Sequence, residues 1–522
     1  MPINQRPAIL GKIVTTIVAL FLATVALAQP AHKENDHCYV DGLSERLRCG
    51  YVKVAENPDN PNGRKINIHY AIIPAVKNIY PNQAFLAIAG GPGQSAIDNA
   101  PLFDNTFGQI RETRDILLID QRGTGRSNIL HCPEDKDISP LLINGDDFDT
   151  VAETKKCLAS IDSDVTQYTS TNALNDFEAV RKSLDYDKLH VYGISYGSRM
   201  AQLYMREYAE ALATVTLDGV VPMQQSVLAI GLAIDRAFNL LISDCENQDQ
   251  CQNQFPSIRE ALANIKSQLL LKPIKTQIFH PMTAQPTEFL LTHDKFLGVI
   301  RLALYSPKTR VLLPHAIDQA GKGNYQAILG LYSLTMEGMD IPMAMSMPSM
   351  SMSMEGMDIA MGMHASVVCS EDIHRLSADL RAELAQSYIG ETMFSELSQV
   401  CSVWPSDKVD ERFSAPVSSN IPTLLLSGEL DPATPPDWAK LAMTGMENAK
   451  HLIAPYAAHG VAMQSCANRI VAQLVEESSI LELNGDCLKD VRKRGFYLNA
   501  SGIDIFMPST EQPLKITSEE VL

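Results

Sequence analysis

The sequence predicts an α/β fold, with a mostly parallel central sheet and helices on both faces. Short apolar runs recur along the chain, each followed by a turn signal, and they alternate with stretches of helical period. Runs that are apolar throughout are typical of parallel strands buried on both faces. One run, Leu189 to Tyr192, leads into a G-x-S-x-G pattern centred on Ser195. A glycine-flanked serine between a strand and a helix is an arrangement that exposes a nucleophile.

Six strands and one clear helix carry this prediction. The helix covers Asn172 to Leu184, where Leu174, Phe177 and Val180 keep a helical period. In parallel sheets the reactive groups gather at the carboxyl ends of the strands, and the glycine-rich turns of this chain follow predicted strands. The predicted strands are Phe85 to Ala89, Asp115 to Asp120, Leu189 to Tyr192, Thr214 to Leu217, Thr423 to Leu426 and Lys450 to Ala454.

The first 28 residues read as a secretory signal peptide. Arg6 and Lys12 precede an apolar run from Ile13 to Val25, and a small-residue site predicts cleavage near Ala28. The run is short for a membrane span, so an uncleaved anchor is the weaker alternative. We therefore expect a periplasmic or secreted protein with no stable membrane anchor.

Ten cysteines in an exported chain are expected to form disulfides, because the compartment is oxidising. Their spacing favours pairing between neighbours. The chain has neither C-x-x-C pairs nor H-E-x-x-H, so no metal site or cofactor is predicted from the cysteines. The expected pairs are Cys38 with Cys49, Cys132 with Cys157, Cys245 with Cys251, Cys369 with Cys401, and Cys466 with Cys487.

The formal charge of the chain is −18. Loss of the signal peptide removes two cations and no acids, so the mature chain is more negative still. A surface of this sign repels phosphate backbones, which argues against a nucleic acid partner.

The chain divides into a core in two halves and an inserted cap. We expect the core at 29–225 and 416–522, with the second half carrying the catalytic acid and base, and a mainly helical cap at 226–415. Within the cap, Met336 to His364 holds eleven methionines and contains two copies of MEGMDI. Such a tract favours a mobile insertion, because it offers little fixed packing. Weak copper binding is the alternative, since thioethers suit Cu(I).

A serine nucleophile needs a base, and the base needs an orienting carboxylate. Asp431 follows one predicted strand and His459 follows the next, so Ser195, Asp431 and His459 are the predicted catalytic residues. Glu429 is the rival acid. His451 is the rival base, but it falls within a strand and is expected to be a packed side chain.

A tetrahedral oxyanion needs two backbone donors. The N–H of Tyr196, directly after the nucleophile, is expected to be one. The second is assigned to Gly91 in the glycine-rich loop after the first predicted strand, since Pro92 cannot donate. Asp120 and Arg122 are interpreted as scaffold residues that brace this loop.

Five motifs lie at the predicted strand ends and loops: GGPG at 90–93, DQRGTGRS at 120–127, GISYGS at 193–198, LDGVVP at 217–222 and GELDPATPP at 428–436. Together they resemble the proline iminopeptidase and tripeptidyl aminopeptidase group of α/β-hydrolases. The stretch from the Asp431 loop to Cys487 is also similar to the C-terminal domain of the tripeptidyl aminopeptidases. The chain departs from the group at Ala89, where proline iminopeptidases have histidine, and at the methionine tract.

This resemblance implies an α/β-hydrolase fold and a serine aminopeptidase of prolyl or tripeptidyl type. It implies peptide substrates with a free N-terminus, a cap that closes one side of the site, and a cap acid that holds the substrate ammonium group; several acids could serve. A carboxylesterase or amidase uses the same machinery and is the main alternative. A periplasmic methionine-rich copper-binding protein is the third.

Overall fold

The computed structural model describes residues 36–132, 149–279, 285–338, 359–490, 493–499 and 502–503. The predicted signal peptide and most of the methionine tract therefore lie outside the described residues. None of the helices within these ranges is long and apolar enough to cross a membrane.

A nine-stranded sheet forms the centre of the molecule, in the order β1-β2-β3-β5-β4-β6-β7-β10-β11. The five neighbour pairs from β5 to β11 are parallel, whereas β1, β2 and β3 join antiparallel at one edge. The strands are β1 (Asp36–Cys38), β2 (Leu47–Ala55), β3 (Lys65–Ile73), β4 (Gln83–Ile88), β5 (Asp115–Ile119), β6 (Lys188–Ile194), β7 (Leu212–Asp218), β8 (Ile274–Phe279), β9 (Pro286–Leu291), β10 (Thr423–Gly428), β11 (Ala449–Ala454), β12 (Tyr497–Asn499) and β13 (Gly502–Ile503).

Helices cover both faces of the sheet, so the predicted α/β fold with a mostly parallel sheet is confirmed. The helices are α1 (Ala100–Thr106), α2 (Gly108–Arg111), α3 (Thr150–Ser160), α4 (Ser170–Ser183), α5 (Tyr196–Glu207), α6 (Ile230–Glu246), α7 (Asp249–Gln254), α8 (Ile258–Leu271), α9 (His293–Leu304), α10 (Pro307–Arg310), α11 (Leu313–Gly321), α12 (Gln326–Gly338), α13 (Met361–Glu371), α14 (Ala378–Leu384), α15 (Gly390–Cys401), α16 (Pro436–Ala442), α17 (Val461–Gln464) and α18 (Ala467–Glu477).

The alternation of side chains along β4 shows why the strand is apolar throughout. Leu86 and its neighbours two residues away pack with α4, α5 and α16, whereas Phe85 and Ala87 pack with α1, α2 and α18 on the other face. Successive side chains of a strand point to opposite faces, so a strand covered on both sides needs apolar residues at every position.

The sheet order reverses at β4, which lies between β5 and β6. The chain passes from β4 to β5 on one side and then returns to place β6 on the other. A crevice opens at such a switch point, outside the carboxyl ends of the strands. The loop after β4 and the turn after β6 both lie there, and these carry the glycine-rich loop and Ser195.

The cap lies between β7 and β10 and has its own apolar core, built from α6, α7, α8, α9, α11, α12 and the β8–β9 hairpin. Its described residues are mainly helical, and the hairpin is a β element that the sequence analysis did not predict. Two of the last helices of the cap pack elsewhere: α13 and α15 contribute Val367 and Val400 to the core of the sheet domain and not to the cap core. Phe496, in the C-terminal segment, packs in the cap core instead.

Five disulfides join the cysteines of the described residues, and no free cysteine is left among them. Each closes a local loop between neighbouring cysteines, as in the pairing that the spacing favours. The bonds are Cys38–Cys49, Cys132–Cys157, Cys245–Cys251, Cys369–Cys401 and Cys466–Cys487.

Candidate active site

Ser195 lies at a sharp turn between β6 and α5, with φ 57° and ψ −125°. A non-glycine residue in this region of backbone space is strained, and such strain is typical of functional turns. The flanking glycines make the turn possible. A Cβ on Gly193 would overlap the carbonyl of Gly197, and a Cβ on Gly197 would lie 2.5 Å from the carbonyl oxygen of Ile88. The turn therefore packs α5 directly against the backbone of β4.

The glycine-rich loop after β4 lies beside the serine. A Cβ on Gly90 would be 3.1 Å from the Cβ of Ser195. Gly91 has φ +107°, a conformation that favours glycine. Within the described part of the chain, neither the Gly91 N–H nor the Tyr196 N–H donates a hydrogen bond to another residue. Both donors are thus available for an oxyanion next to Ser195, with the N-terminus of α5 behind it.

Asp120 holds the segment that follows this loop. One carboxylate oxygen accepts hydrogen bonds from Ser95 Oγ at 2.7 Å and from the Ile97 N–H at 3.1 Å, and the other accepts from the Arg126 N–H at 3.0 Å. Burial raises the pKa of Asp120 to about 6. Arg122 has a different role, because it forms a buried bidentate pair with Asp176 on α4 and does not contact the loop.

Asp431 and His459 form a hydrogen-bonded pair. The Nδ1–H of His459 donates to Asp431 at 2.9 Å and 3.1 Å, which leaves Nε2 to accept a proton. The Asp431 side chain is 0% exposed and that of His459 is 12% exposed. Asp431 also accepts hydrogen bonds from the Ala433 N–H and from both the N–H and the hydroxyl of Thr434. Five donor contacts thus hold this carboxylate in the ionised form.

The pKa values of the two groups move apart. Burial raises the pKa of Asp431, but the charge and hydrogen bond of His459 and the donors of Thr434 and Ala433 outweigh burial, so the pKa is lowered overall. Burial lowers the pKa of His459, but Asp431, with a smaller contribution from Asp218, raises it above its usual value of 6.5. The pair therefore favours a histidine that becomes cationic readily, as a general base must.

Asp218, at the end of β7, connects the serine turn to the histidine loop. Its backbone carbonyl accepts from the Ser195 N–H at 2.9 Å. Its carboxylate accepts from the N–H groups of Val461 and Ala462 and from the hydroxyl of Tyr192, each at 2.8 Å. Sequence reasoning assigned no role to this residue. The only sequence signal was an acid directly after the predicted strand Thr214 to Leu217.

No hydrogen bond joins the Ser195 hydroxyl to His459 in this structure. The neighbouring residues nevertheless bring the two loops together. A Cβ on Gly460 would lie 3.1 Å from the side chain of Ile194, and a Cβ on Gly219 would lie 3.0 Å from the His459 ring. Catalytic hydrogen bonds are often long in a free enzyme and shorten when substrate binds.

Neither of the rival residues forms a hydrogen bond or ion pair with Asp431 or His459. Glu429 forms an ion pair with Arg236 of the cap. His451 lies in β11, where Nε2 is 2.9 Å from the hydroxyl of Ser427, and burial lowers its pKa to about 4.

The cap reaches the site from two directions. Tyr305, after α9, places its ring edge-on to that of His459 with 5.3 Å between centroids. At the end of the methionine tract, the Ala360 N–H donates to the carbonyl of Gly93 at 3.0 Å, and His364 Nδ1 donates to the carbonyl of Pro92 at 3.2 Å. Of the described residues of the tract, 336–338 end α12 and 361–364 begin α13, whereas Ile359 and Ala360 lie in no helix or strand.

The rest of the tract lies outside the described residues, so copper binding by Met336 to His364 stays a prediction. Within the described ranges, no cluster of three or more His, Cys, Asp or Glu side chains could hold a metal ion.

Comparison with known proteins gives two family matches. Residues 83–253 match the family described as alpha/beta hydrolase fold, and residues 386–487 match the family described as TAP-like protein. The first match covers the β4 loop, the serine turn and the start of the cap. The second covers the end of the cap and both Asp431 and His459.

Individual relatives are distant. Serine protease Hip1 of Mycobacterium tuberculosis is 23% identical over 419 residues, which cover 74% of this chain and 76% of Hip1. Tripeptidyl aminopeptidase of Streptomyces lividans is 24% identical over 217 residues, 38% of this chain and 40% of the relative. Among solved structures, a proline iminopeptidase of Mycobacterium smegmatis aligns with 82% of this chain and 98% of its own, at 14% identity and a TM-score of 0.37.

Proposed function

This chain is an α/β-hydrolase with a TAP-like C-terminal region, and from that premise we propose that it is an exported serine peptidase that removes residues from the N-terminus of peptides. Relatives named as a serine protease and as tripeptidyl aminopeptidases support peptide substrates. Five local disulfides and the N-terminal sequence pattern support an oxidising compartment.

In the proposed reaction, Ser195 Oγ attacks the carbonyl carbon of the scissile peptide bond while His459 Nε2 takes the hydroxyl proton. The resulting oxyanion accepts hydrogen bonds from the N–H groups of Gly91 and Tyr196. His459 then gives the proton to the leaving nitrogen as the C–N bond breaks, and Asp431 stabilises the imidazolium throughout. A water molecule, deprotonated by His459, hydrolyses the acyl-enzyme and regenerates the serine.

The observation that carries the proposal is the pair formed by Asp431 and His459 at 2.9 Å, on a loop that Asp218 connects to the Ser195 turn. One buried carboxylate orients the histidine, and a second fixes the loop on which the histidine lies. Electrostatic preorganisation of this kind needs little rearrangement during the reaction.

Exopeptidase action requires a group that holds the substrate ammonium. Of the cap acids, we propose Glu396 on α15, a partly buried carboxyl group whose pKa is affected by Asp294 and Arg301 on α9. Burial and the nearby Asp294 raise the pKa of Glu396 to about 9, against the opposing effect of Arg301. Arg301 in turn is close enough to lower the pKa of His364, which contacts the loop beside Ser195. A substrate ammonium at Glu396 would supply the cation that ionises this carboxyl group.

The test is a panel of chromogenic substrates with free and acetylated N-termini, assayed with the wild type and with Ser195→Ala. The proposal expects free N-termini to be favoured strongly and Ser195→Ala to lose nearly all turnover. Glu396→Gln should raise KM for free N-termini and leave acetylated substrates little changed. Glu383→Gln, an exposed acid on α14, is the matched control and should behave as the wild type.

Two outcomes would overturn the proposal. Equal turnover of free and acetylated substrates, with faster cleavage of simple esters, would assign the chain to the carboxylesterases or amidases. Turnover that survives Ser195→Ala would exclude the serine mechanism itself.

A further inference from the structure

A cavity of about 570 Å³ lies between the cap, the loops around His459 and the C-terminal segment. Its lining includes the core residues Leu430, Met463 and Gln464 and the cap residues Ser306, Pro307, Lys308, Arg310 and Val311. This volume is in the range of ligand sites and would accommodate a group the size of a dipeptide.

The cavity borders the histidine side of the site. Gln464, on its wall, donates a side-chain hydrogen bond to the carbonyl of His459 and accepts one from the Ala458 N–H. Ser306 follows Tyr305, whose ring contacts that of His459. Of the described residues that line the cavity, none belongs to the glycine-rich loop or to the Ser195 turn. Since the histidine protonates the leaving nitrogen, the leaving portion of the substrate lies on this side.

The lining of the cavity is cationic, in a chain whose formal charge is −18. Four basic side chains face one acid, Asp244, which accepts from Arg310 at 2.8 Å and from Lys493 at 3.1 Å. Lys308 and Arg494 are exposed and have no carboxylate partner among the described residues. One acid thus neutralises part of the charge and leaves an excess of cations.

Arg310 differs from the other basic residues of the lining because it is buried. Its side chain is only 4% exposed, and its Nε has no hydrogen-bond partner in the described part of the chain. Because the Nε atom is itself inaccessible, an anion in the cavity is attracted by the charge of the guanidinium group and not by this donor.

We propose that this cavity binds a carboxylate on the leaving portion of the substrate. The carboxylate is either the C-terminus of a short peptide or an acidic side chain just after the scissile bond. The inference rests on the proposed peptidase function, and it goes further by making short or acidic peptides the favoured substrate class.

The test uses four peptides that share Ala-Ala-Ala before the scissile bond. They continue with Glu or Gln, and each ends in a free carboxylate or in an amide. The wild type should cleave the carboxylate forms with a kcat/KM about two- to fivefold higher than the neutral form, the range expected of an ion pair with exposed cations. Raised ionic strength should reduce this preference. Comparison of the four peptides distinguishes a terminal carboxylate from a side-chain one.

Lys308→Gln combined with Arg494→Gln should remove most of the preference. Lys322→Gln, another exposed cap lysine, which pairs with Asp318, is the matched control and should retain it. Equal kcat/KM for all four peptides in the wild type, or a preference that survives the double substitution, would overturn the inference.

Failure of the peptidase function itself would give a different result, namely no cleavage of any peptide. Calorimetric titration of Ser195→Ala with the dipeptide Ala-Glu and with its neutral analogue Ala-Gln-amide then decides the matter. Tighter binding of Ala-Glu, lost when Lys308 and Arg494 are replaced, would support the carboxylate site without any turnover. Equal or undetectable binding of the two peptides would refute it.

Discussion

Asp218→Asn is the most direct test of how the histidine loop is held. The side chain is fully buried, and its two oxygens accept from two backbone N–H groups and a tyrosine hydroxyl, each at 2.8 Å. An asparagine has the same shape, but it replaces one of the two acceptor oxygens with an NH₂ group. Whichever way the amide turns, its NH₂ group faces the N–H of either Val461 or Ala462, and that buried donor loses its acceptor.

The expected loss of stability in Asp218→Asn follows from the number of hydrogen bonds that the substitution removes. One charge-assisted hydrogen bond is lost and one buried N–H is left without a partner, so the free energy of unfolding should fall by about 2 to 4 kcal/mol. The loop that carries His459 should shift with the orphaned amide. A displacement of this kind away from the reacting atoms reduces turnover steeply, and we expect kcat/KM to fall by about ten- to a hundredfold, mainly through kcat.

Chemical denaturation measures the change in the free energy of unfolding, and steady-state kinetics measures the change in kcat/KM. Asp437→Asn removes an exposed acid that pairs with Lys440, and this control should change stability by less than about 0.5 kcal/mol. A pH profile separates positioning from simple destabilisation. Because the negative charge of Asp218 helps to raise the pKa of His459, its loss should move the acid limb of kcat/KM to lower pH. Unchanged stability together with an unchanged pH limb would refute the reasoning.

Three further predictions follow from the same geometry. Because Asp431 outweighs burial and raises the pKa of His459, wild-type kcat/KM should rise with pH through a limb above 6.5. Asp431→Asn should move that limb to lower pH and reduce the rate by several orders of magnitude. A wild-type limb well below 6.5 would contradict the assignment. Gly197→Ala should destabilise the fold by about 1 to 3 kcal/mol or more, measured by denaturation, because its Cβ would meet the backbone of Ile88, whereas Gly108→Ala, which adds a Cβ in open space, should not. Thiol titration of the unfolded, unreduced protein should find essentially no free cysteine, and a stoichiometric thiol signal would exclude the disulfides.

The fold was predictable from the sequence where burial is two-sided. The six predicted strands correspond to β4, β5, β6, β7, β10 and β11, within three residues at each end, because strands covered on both faces must be apolar throughout. Strand β3 was not predicted, although most of its residues are buried. The antiparallel strand β2 was not predicted because one of its faces is exposed and its run is interrupted by polar residues. The β8–β9 hairpin was missed for the same reason.

For the candidate site, the sequence predicts residues but not the contacts between them. Strand ends and loop glycines are visible in sequence, and these led to the prediction of Ser195, Asp431 and His459; of these, the structure pairs Asp431 with His459. Which loop a buried acid holds depends on the order of strands in the sheet, and sequence does not give that order. Asp218 was missed for this reason. The cavity behind His459 was missed as well, because it combines residues from the cap, the core and the C-terminal segment.

The position of the cap between β7 and β10 has a consequence for the newly made chain. Synthesis runs from the N-terminus, so the Ser195 turn is complete before any of the cap, and the whole cap is complete before Asp431 and His459 emerge. At no stage does the chain carry all three proposed catalytic residues without the cap between them. Under the proposed mechanism, a polypeptide cut short anywhere within the cap would hold Ser195 without its proposed base, so premature termination would yield an inert product rather than a peptidase that lacks its cap.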